Sequence, residues 1–526
     1  MRNAGHFSKS LTMVLIAFFL VVVLFPLAKM MMFLLSTDVG KIMSSDRFLT
    51  GLNNSLTATL VATLLSVSLA MVLAWFLERS AISHKGLWAT IFLVPMLIPS
   101  ISHGTGLVIL FGRNGLLTNL LHLQGSVYGF WGIVIGSVLY SFPVAFLMIS
   151  DILRFEDYTP YEAASVLGIP QTKQTLAIFI PYIRKPMIAV VFAVFTQIIT
   201  DYGVPLMVGG QYTTLPVIMY QDVIGMLEFG KGSVIGLVLL VPAVLAFIVD
   251  SLNRDKGSSS FTPRPFVKND RKGILILAKS VCFLAALFIL LPIVAFVILS
   301  FAKKYPVNMS FTVQNIERAF SMNAGKNLVN SLVIAIVVSS IGTFLAFISA
   351  YMTARIKSPS TRILHLFSIV TLAIPGIVLG LSFVLFFKGT PLMGTLAILI
   401  LVNLMHFFAS PYLMMYNTLG KINPNLEDVG QTLGISRLAI IVDVIVPQSK
   451  STLIEMGTYF FVNSMMTISA VSFLATSRTQ PLALMIPMFE AQMLLECTGV
   501  VSLIILMINL GVKGIVAVMK KQLGKR

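Results

Sequence analysis

Glu162-Ala163-Ala164-Ser165-Val166-Leu167-Gly168 is a short polar stretch inside a chain whose remaining sequence is dominated by long apolar runs. A second copy, Asp428-Val429-Gly430-Gln431-Thr432-Leu433-Gly434, follows in the other half of the chain. In both copies a proline stands thirteen residues after the last glycine, Gly168 to Pro181 and Gly434 to Pro447. The first copy reads as a short helix: Thr159 before Pro160 is an expected N-cap, and Glu162 falls in the first turn, where the helix dipole favours an acid. Gly168 supplies a backbone conformation that a β-carbon would hinder, and Pro170 restarts a second short helix. Two short helices meeting at an angle outside a bilayer suit a socket on a partner protein. An amphipathic interfacial linker is the plainer reading, and the second copy at matching spacing argues against it.

The surroundings decide that this is a membrane protein. Of 526 residues 57% are hydrophobic and 11% charged, with a mean hydropathy of +0.93. A soluble domain carries roughly a quarter of its residues as charges. Apolar runs of about 20 residues predict helices rather than the alternating segments of about ten residues found in a barrel. Twelve spans are expected, near 11–35, 54–77, 87–111, 130–150, 182–205 and 233–250, then near 273–300, 329–351, 363–387, 394–416, 452–474 and 499–519. The net charge of +17 does not indicate nucleic-acid binding, because the basic residues are scattered between the spans. With the N-terminus inside, 25 of the 37 Lys and Arg fall in inside segments and 10 in outside ones. Cationic loops resist translocation, so both termini and both polar loops are expected in the cytoplasm. Cys282 and Cys497 match no metal or redox spacing and read as small core residues.

The chain is expected to divide into a first half (1–252), a flexible linker rich in Ser, Pro and basic residues (253–272) and a second half (273–526). Asn54-Ser55-Leu56 matches Asn330-Ser331-Leu332, and Arg79 matches Arg355, both at an offset of 276. Six spans per half make the copies parallel, related by an axis along the membrane normal. The expected fold class is all-α: about twelve transmembrane helices in two parallel six-helix repeats, each with a cytoplasmic loop, about 158–181 and about 424–447.

Glu162-Ala163-Ala164, Gly168, Ile178 and Ile180-Pro181 together resemble the EAA signature of ATP-binding-cassette importer permeases. The second copy keeps Asp428, Gly434 and Val446-Pro447 and departs at Val429 and Gly430. The resemblance implies a type I importer permease of two fused halves. It implies two copies of an ATPase subunit that dock on the loops through Glu162, Ala163, Ala164, Gly168, Asp428, Gly430 and Gly434. It also implies an extracytoplasmic solute-binding protein, a membrane-lipid surround and a bacterial inner-membrane location. ATP and Mg would be bound by the partner ATPases, with no cofactor in this chain. Gly225 to Gly232 has the spacing of a phosphate-binding loop but ends in glycine where Ser or Thr is needed, so no ATPase site, and no enzyme, is expected.

Polar residues within spans are costly and are default path candidates. Gln197 and Asn463 sit at equivalent positions in the two halves. Asp201, Tyr202 and Ser469 lie at the outer ends of the corresponding spans. Asp201 could contact a cationic substrate group or cap a helix. The segments Thr200–Leu206 and Thr467–Leu474 look most like those of 2-aminoethylphosphonate permeases, which makes a phosphonate the leading expected solute. A ferric-iron or other small-solute importer is the alternative, and a secondary transporter working without an ATPase a more distant one. No metal site is expected.

Overall fold

The computed structural model describes residues 2–253, 264–356 and 358–523, most of them helical. A chain in lipid must satisfy its backbone hydrogen bonds within each segment, and the apolar runs do so as helices. The first half contains α1 (Lys9–Leu35), α2 (Asp46–Arg79), the pair α3 and α4 (Lys85–Leu97 and Ser100–Leu120) and α5 (Phe130–Arg154). It continues with the short α6 (Thr159–Val166), α7 (Gln171–Ile199), the short α8 (Gly203–Val208), α9 (Leu215–Met226) and α10 (Phe229–Val249). The second half runs from α11 (Lys272–Ser300) through strands β1 (Ala302–Lys304) and β2 (Asn308–Phe311) to α12 (Ala324–Arg355). The pairs α13 and α14 (Pro359–Ala373 and Gly376–Phe387) and α15 and α16 (Leu396–His406 and Ala409–Lys421) follow. The short α17 (Leu426–Thr432), α18 (Val446–Met466), α19 (Leu482–Ala491) and α20 (Leu495–Leu523) complete it.

Among the described residues eight helices are long and apolar enough to cross a membrane as single rods. Three expected spans are broken instead: α3–α4 bends by 98°, α13–α14 by 110° and α15–α16 by 49°. Pro99 and Pro375 stand at the first two breaks. Proline lacks an N–H and disfavours helical backbone in the residue before it, so each helix stops and restarts. The span expected near 452–474 is α18, which starts and ends earlier and carries Lys450 and Glu455. Residues after Met466 leave the helix and press against the glycines of α14, where a β-carbon on Gly380 would lie 2.7 Å from the Ala470 carbonyl oxygen. The all-α expectation needs one amendment, the small antiparallel β1–β2 hairpin.

Neither half is self-contained. The first span, α1, packs on α12, α13 and α14 of the second half, and α11 packs on α2, α3 and α4 of the first. Leu15, Phe19, Val22 and Val23 accordingly belong to the second half's core, while Ala278, Cys282, Ala286 and Ile289 belong to the first half's. The repeated Asn-Ser pair has one role in both copies. Asn54 donates to the Thr213 carbonyl and Ser55 accepts from the Leu215 N–H (3.1 and 2.8 Å). Asn330 donates to the Arg478 carbonyl and Ser331 accepts from the Leu482 N–H at the same distances. Each serine thereby satisfies an N–H at the start of a short apolar helix, α9 or α19, that the helix itself leaves open, and each asparagine holds the segment leading into it.

Candidate functional site: two arginine-anchored loops at one end of the bundle

The loops carrying the two glycine copies are built alike. Helix α6 ends in a Schellman turn: Gly168 adopts φ +70°, its N–H reaches the Ser165 carbonyl, and the Ile169 N–H reaches the Ala164 carbonyl, both at 3.0 Å. In the second loop Gly434 adopts φ +71° and the Ile435 N–H reaches the Gly430 carbonyl at 2.8 Å. A β-carbon on either glycine would meet nothing within 4 Å. The requirement for glycine is therefore conformational, not steric. At the start of α6 the expected N-cap is displaced. Thr159 is already helical, and the Asp157 carboxylate accepts from the Thr159 N–H and hydroxyl (3.2 and 2.9 Å). Asp157 wins because its position two residues back suits an Asx turn.

The departures of the second copy form a matched exchange. Ala164 is buried, and Gln174 folds back to donate to the Ile169 carbonyl (2.7 Å) and Ser165 (3.1 Å). The equivalent residues are Gly430 and Ile440, and a β-carbon on Gly430 would stand 2.3 Å from Ile440 Cδ1. The larger Ile440 occupies the room released by losing the methyl group.

Each loop is fastened by an arginine at the end of the long second helix of its half. Arg355 makes a two-pronged ion pair with Glu427, both contacts 2.7 Å, and also donates to the Ile422 (3.0 Å) and Asn423 (2.8 Å) carbonyls. Both side chains are about 95% buried, at 5% and 6% exposure. In the first loop the residue at the place of Glu427 is Tyr161, and the carboxylate has moved to Glu156. Arg79 pairs with Glu156 and donates to the Leu153 carbonyl (3.0 Å), while the Tyr161 hydroxyl donates to the other Glu156 oxygen. Burial pushes the Glu156 carboxyl above its ordinary range, and the Tyr161 hydrogen bond and Arg79 charge pull it back. Burial and the Glu156 contact raise the Tyr161 hydroxyl. The match of Arg79 with Arg355 is legible in the sequence; their carboxylate partners are not, because those partners sit five positions apart in the two copies.

What the loops leave outside is apolar. Val166, Leu167 and Leu176 are 87%, 76% and 69% exposed, and Leu433 and Leu438 are both 70% exposed. Ala163 and its counterpart Val429 are exposed too. Glu162 pairs with Arg264, whereas Asp428 is exposed and has no ion-pair partner among the described residues.

The expected path residues divide. Asp201 is buried, accepting from the Ser100 hydroxyl (2.6 Å) and the Val204 N–H (3.0 Å), which makes it the cap of α8. Tyr202 is wholly buried at the seam between halves, its hydroxyl against Ser472 and its ring stacked 4.7 Å from Tyr220. Ser469, half-buried, lies where a β-carbon on Gly376 would come within 2.4 Å of its hydroxyl. Gln197 reaches the Tyr140 hydroxyl, and Asn463 donates to the Tyr459 carbonyl (2.8 Å). The last two thus engage their own halves and not each other. The Gly225–Gly232 stretch joins α9 to α10 by a turn, with Lys231 paired to Glu228, in place of the strand and loop that a phosphate site needs.

The family described as "Binding-protein-dependent transport system inner membrane component" matches residues 66–254 and again 342–524, one loop in each match. The chain belongs to this family. It is a two-half permease of an ATP-binding-cassette importer, a multi-span membrane protein whose family works with an ATPase and a solute-binding partner. The ferric transport system permease protein FbpB of Actinobacillus pleuropneumoniae is 26% identical over 438 residues, 79% of this chain and 63% of that one. A Haemophilus influenzae protein named for the same ferric role, FbpB 1, is 24% identical over 465 residues, 84% of this chain and 73% of that one. A Sinorhizobium fredii protein, "Probable ABC transporter permease protein y4fN", is 21% identical over 491 residues, 88% and 85% of the two chains. The chain thus spans a little under two thirds of the Actinobacillus relative's length.

For this permease the Asp201 geometry predicts a structural phenotype. Asp201→Ala removes the acceptor for two donors and is expected to cost about 0.5–2 kcal/mol. It should lower the thermal midpoint in detergent, and Asp201→Asn, which retains an acceptor oxygen, should recover most of the loss. A normal midpoint with impaired uptake in both variants would place Asp201 on the substrate instead.

Proposed function

We propose that this permease carries ferric iron, handed over by a solute-binding protein, across the inner membrane into the cytoplasm. It is driven by two copies of an ATPase subunit, one on each arginine-anchored loop. The observation that carries the reading is the pair of loops: the same left-handed glycine, the same exposed leucine before it and an arginine clamp beneath each. An exposed apolar tip on a fixed stem suits a hydrophobic socket, and the stem transmits motion because it is held to the end of a long helix, α2 or α12. The charge distribution supports placing this face and both termini in the cytoplasm, where ATP is. The chain itself then needs no nucleotide site.

Relatives aligned along most of the chain are named for ferric transport, so iron takes precedence over the phosphonate expected from two short segments. Those segments include α8 and its Asp201 cap, whose residues have packing roles in this fold. The solute is proposed to pass along the seam between halves, near Tyr202, Ser469, Gln197 and Asn463. Proteoliposomes containing the permease, its ATPase and its binding protein should accumulate radioactive ferric iron only with ATP. Accumulation of 2-aminoethylphosphonate in place of iron would overturn the substrate, and uptake without ATP would overturn the importer reading.

A further inference from the structure

The segment joining the two halves is not free over its whole length. The expected flexible linker covers 253–272; residues 254–263 lie outside the described residues, but 264–270 are held against the first loop. The Arg264 carbonyl accepts from the Tyr158 N–H, and the Arg264 N–H donates to Asp157, both at 3.0 Å. The Arg264 guanidinium pairs with Glu162. Phe266 lies against the Tyr158 and Tyr161 rings, centroids 4.7 and 5.0 Å away, and the Arg79 guanidinium stands 3.6 Å from the Phe266 ring centroid. Asn269 then exchanges backbone hydrogen bonds with the end of α2, to the Arg79 carbonyl and from the Ala81 N–H, both at 2.9 Å. Phe266 therefore touches the same Arg79 that anchors the loop and the same Tyr161 that completes the anchor. Among the described residues no comparable segment lies on the second loop.

We propose that residues 264–270 are a working part of the first docking surface, so that the permease offers its ATPases two unlike sites. The first is a composite of α6 and the strap, with the Glu162 charge matched internally by Arg264. The second is α17 alone, with Asp428 open to an external cation. The strap has a mechanical consequence as well. It runs directly into α11, which packs on α2, α3 and α4, so displacement of the first loop pulls on the second half's first span. Among the described residues the second loop has no such tether. The kind of partner that fits the first site presents an apolar socket for Leu167 that extends over the strap, where Val267 is 79% exposed. At the second site the same socket meets an unpaired carboxylate.

This proposal rests on the docking reading above, and the experiment separates the two. A photocrosslinking amino acid is placed singly at Leu167, Leu433 or Val267 in the full permease–ATPase complex, in the parent and in Phe266→Ala and Arg264→Gln backgrounds. Crosslinks to the ATPase are expected from all three positions. Phe266→Ala should lower the yield from 167 at least threefold and leave that from 433 unchanged. Arg264→Gln, which preserves the apolar contacts, should make the yield from 167 fall more steeply with salt, as it already does from 433. Crosslinking at 167 and 433 without any at 267, or a yield at 167 that is indifferent to both substitutions, overturns the strap. Absence of crosslinks at both 167 and 433 overturns the docking reading itself.

Discussion

Replacing Gly168 and Gly434 together by valine is expected to abolish ATP-driven uptake while leaving the permease in the membrane at its normal level. Both glycines hold φ near +70°, where an L-residue costs about 1–2 kcal/mol and a β-branched one is a genuine outlier. Each 1.4 kcal/mol is about a factor of ten in an equilibrium, so two distorted loops leave a small fraction of chains able to dock both ATPases. The turns at the loop tips are short and exposed, so they yield by changing their backbone and swinging Leu167 and Leu433 out of position; the bundle does not unfold. The control is Gly168→Asn with Gly434→Asn. Asparagine enters the left-handed region more readily than other L-residues, and nothing within 4 Å obstructs its β-carbon. The asparagine pair should retain most uptake. Equal failure of both pairs would mean that the tip must be bare for contact, and equal tolerance would remove the loops from the mechanism. Copies of the ATPase retained on affinity-purified permease provide the second readout.

Arg355→Ala is expected to be the most damaging single substitution on this face. It strands Glu427 in a site where both partners are about 95% buried, and removing one member of such a pair costs about 3–5 kcal/mol. It also removes the Arg355 donor from the Ile422 and Asn423 carbonyls. The second loop should become a site of rapid limited proteolysis between 422 and 437, and uptake should fall at least tenfold. The double variant Arg355→Met with Glu427→Leu tests the cause. Removing both charges in favour of apolar groups of similar size is often neutral, so proteolytic resistance should return in large part. If the double variant is as labile as the single one, the anchor acts through the carbonyl contacts and not through the ion pair. The corresponding Arg79→Ala should have a similar effect on the first loop, moderated by the hydrogen bonds and ring contacts of the strap.

The membrane class, the two halves and the paired loops were legible from residues alone. A bilayer tolerates only segments that satisfy their own backbone, which makes spans visible as apolar runs. The left-handed glycines were legible for a related reason: a tight helix end has few residues that fit it. Where helices break was partly written in Pro99 and Pro375, though only the structure shows bends of 98° and 110° at those points. Asp201 stood in the sequence as either a ligand or a cap, and the Ser100 and Val204 contacts make it a cap.

What local sequence determined, then, is everything that depends on a residue and its near neighbours: which stretches are helical in lipid, where a turn requires φ > 0, and that the pattern occurs twice. What only the tertiary structure decided is which surfaces those elements meet. Hydropathy is the same whichever half a helix packs against, so it does not reveal that α1 and α11 each join the opposite half's core. Arg79 and Arg355 align, but their carboxylates come from Glu156 and Glu427 at non-equivalent positions, since a guanidinium requires only that an acid arrive in space. A linker rich in Ser, Pro and basic residues has the same composition free or bound. The docking of Arg264 and Phe266 on the first loop depends on complementary groups about a hundred residues upstream, and only folding brings them together.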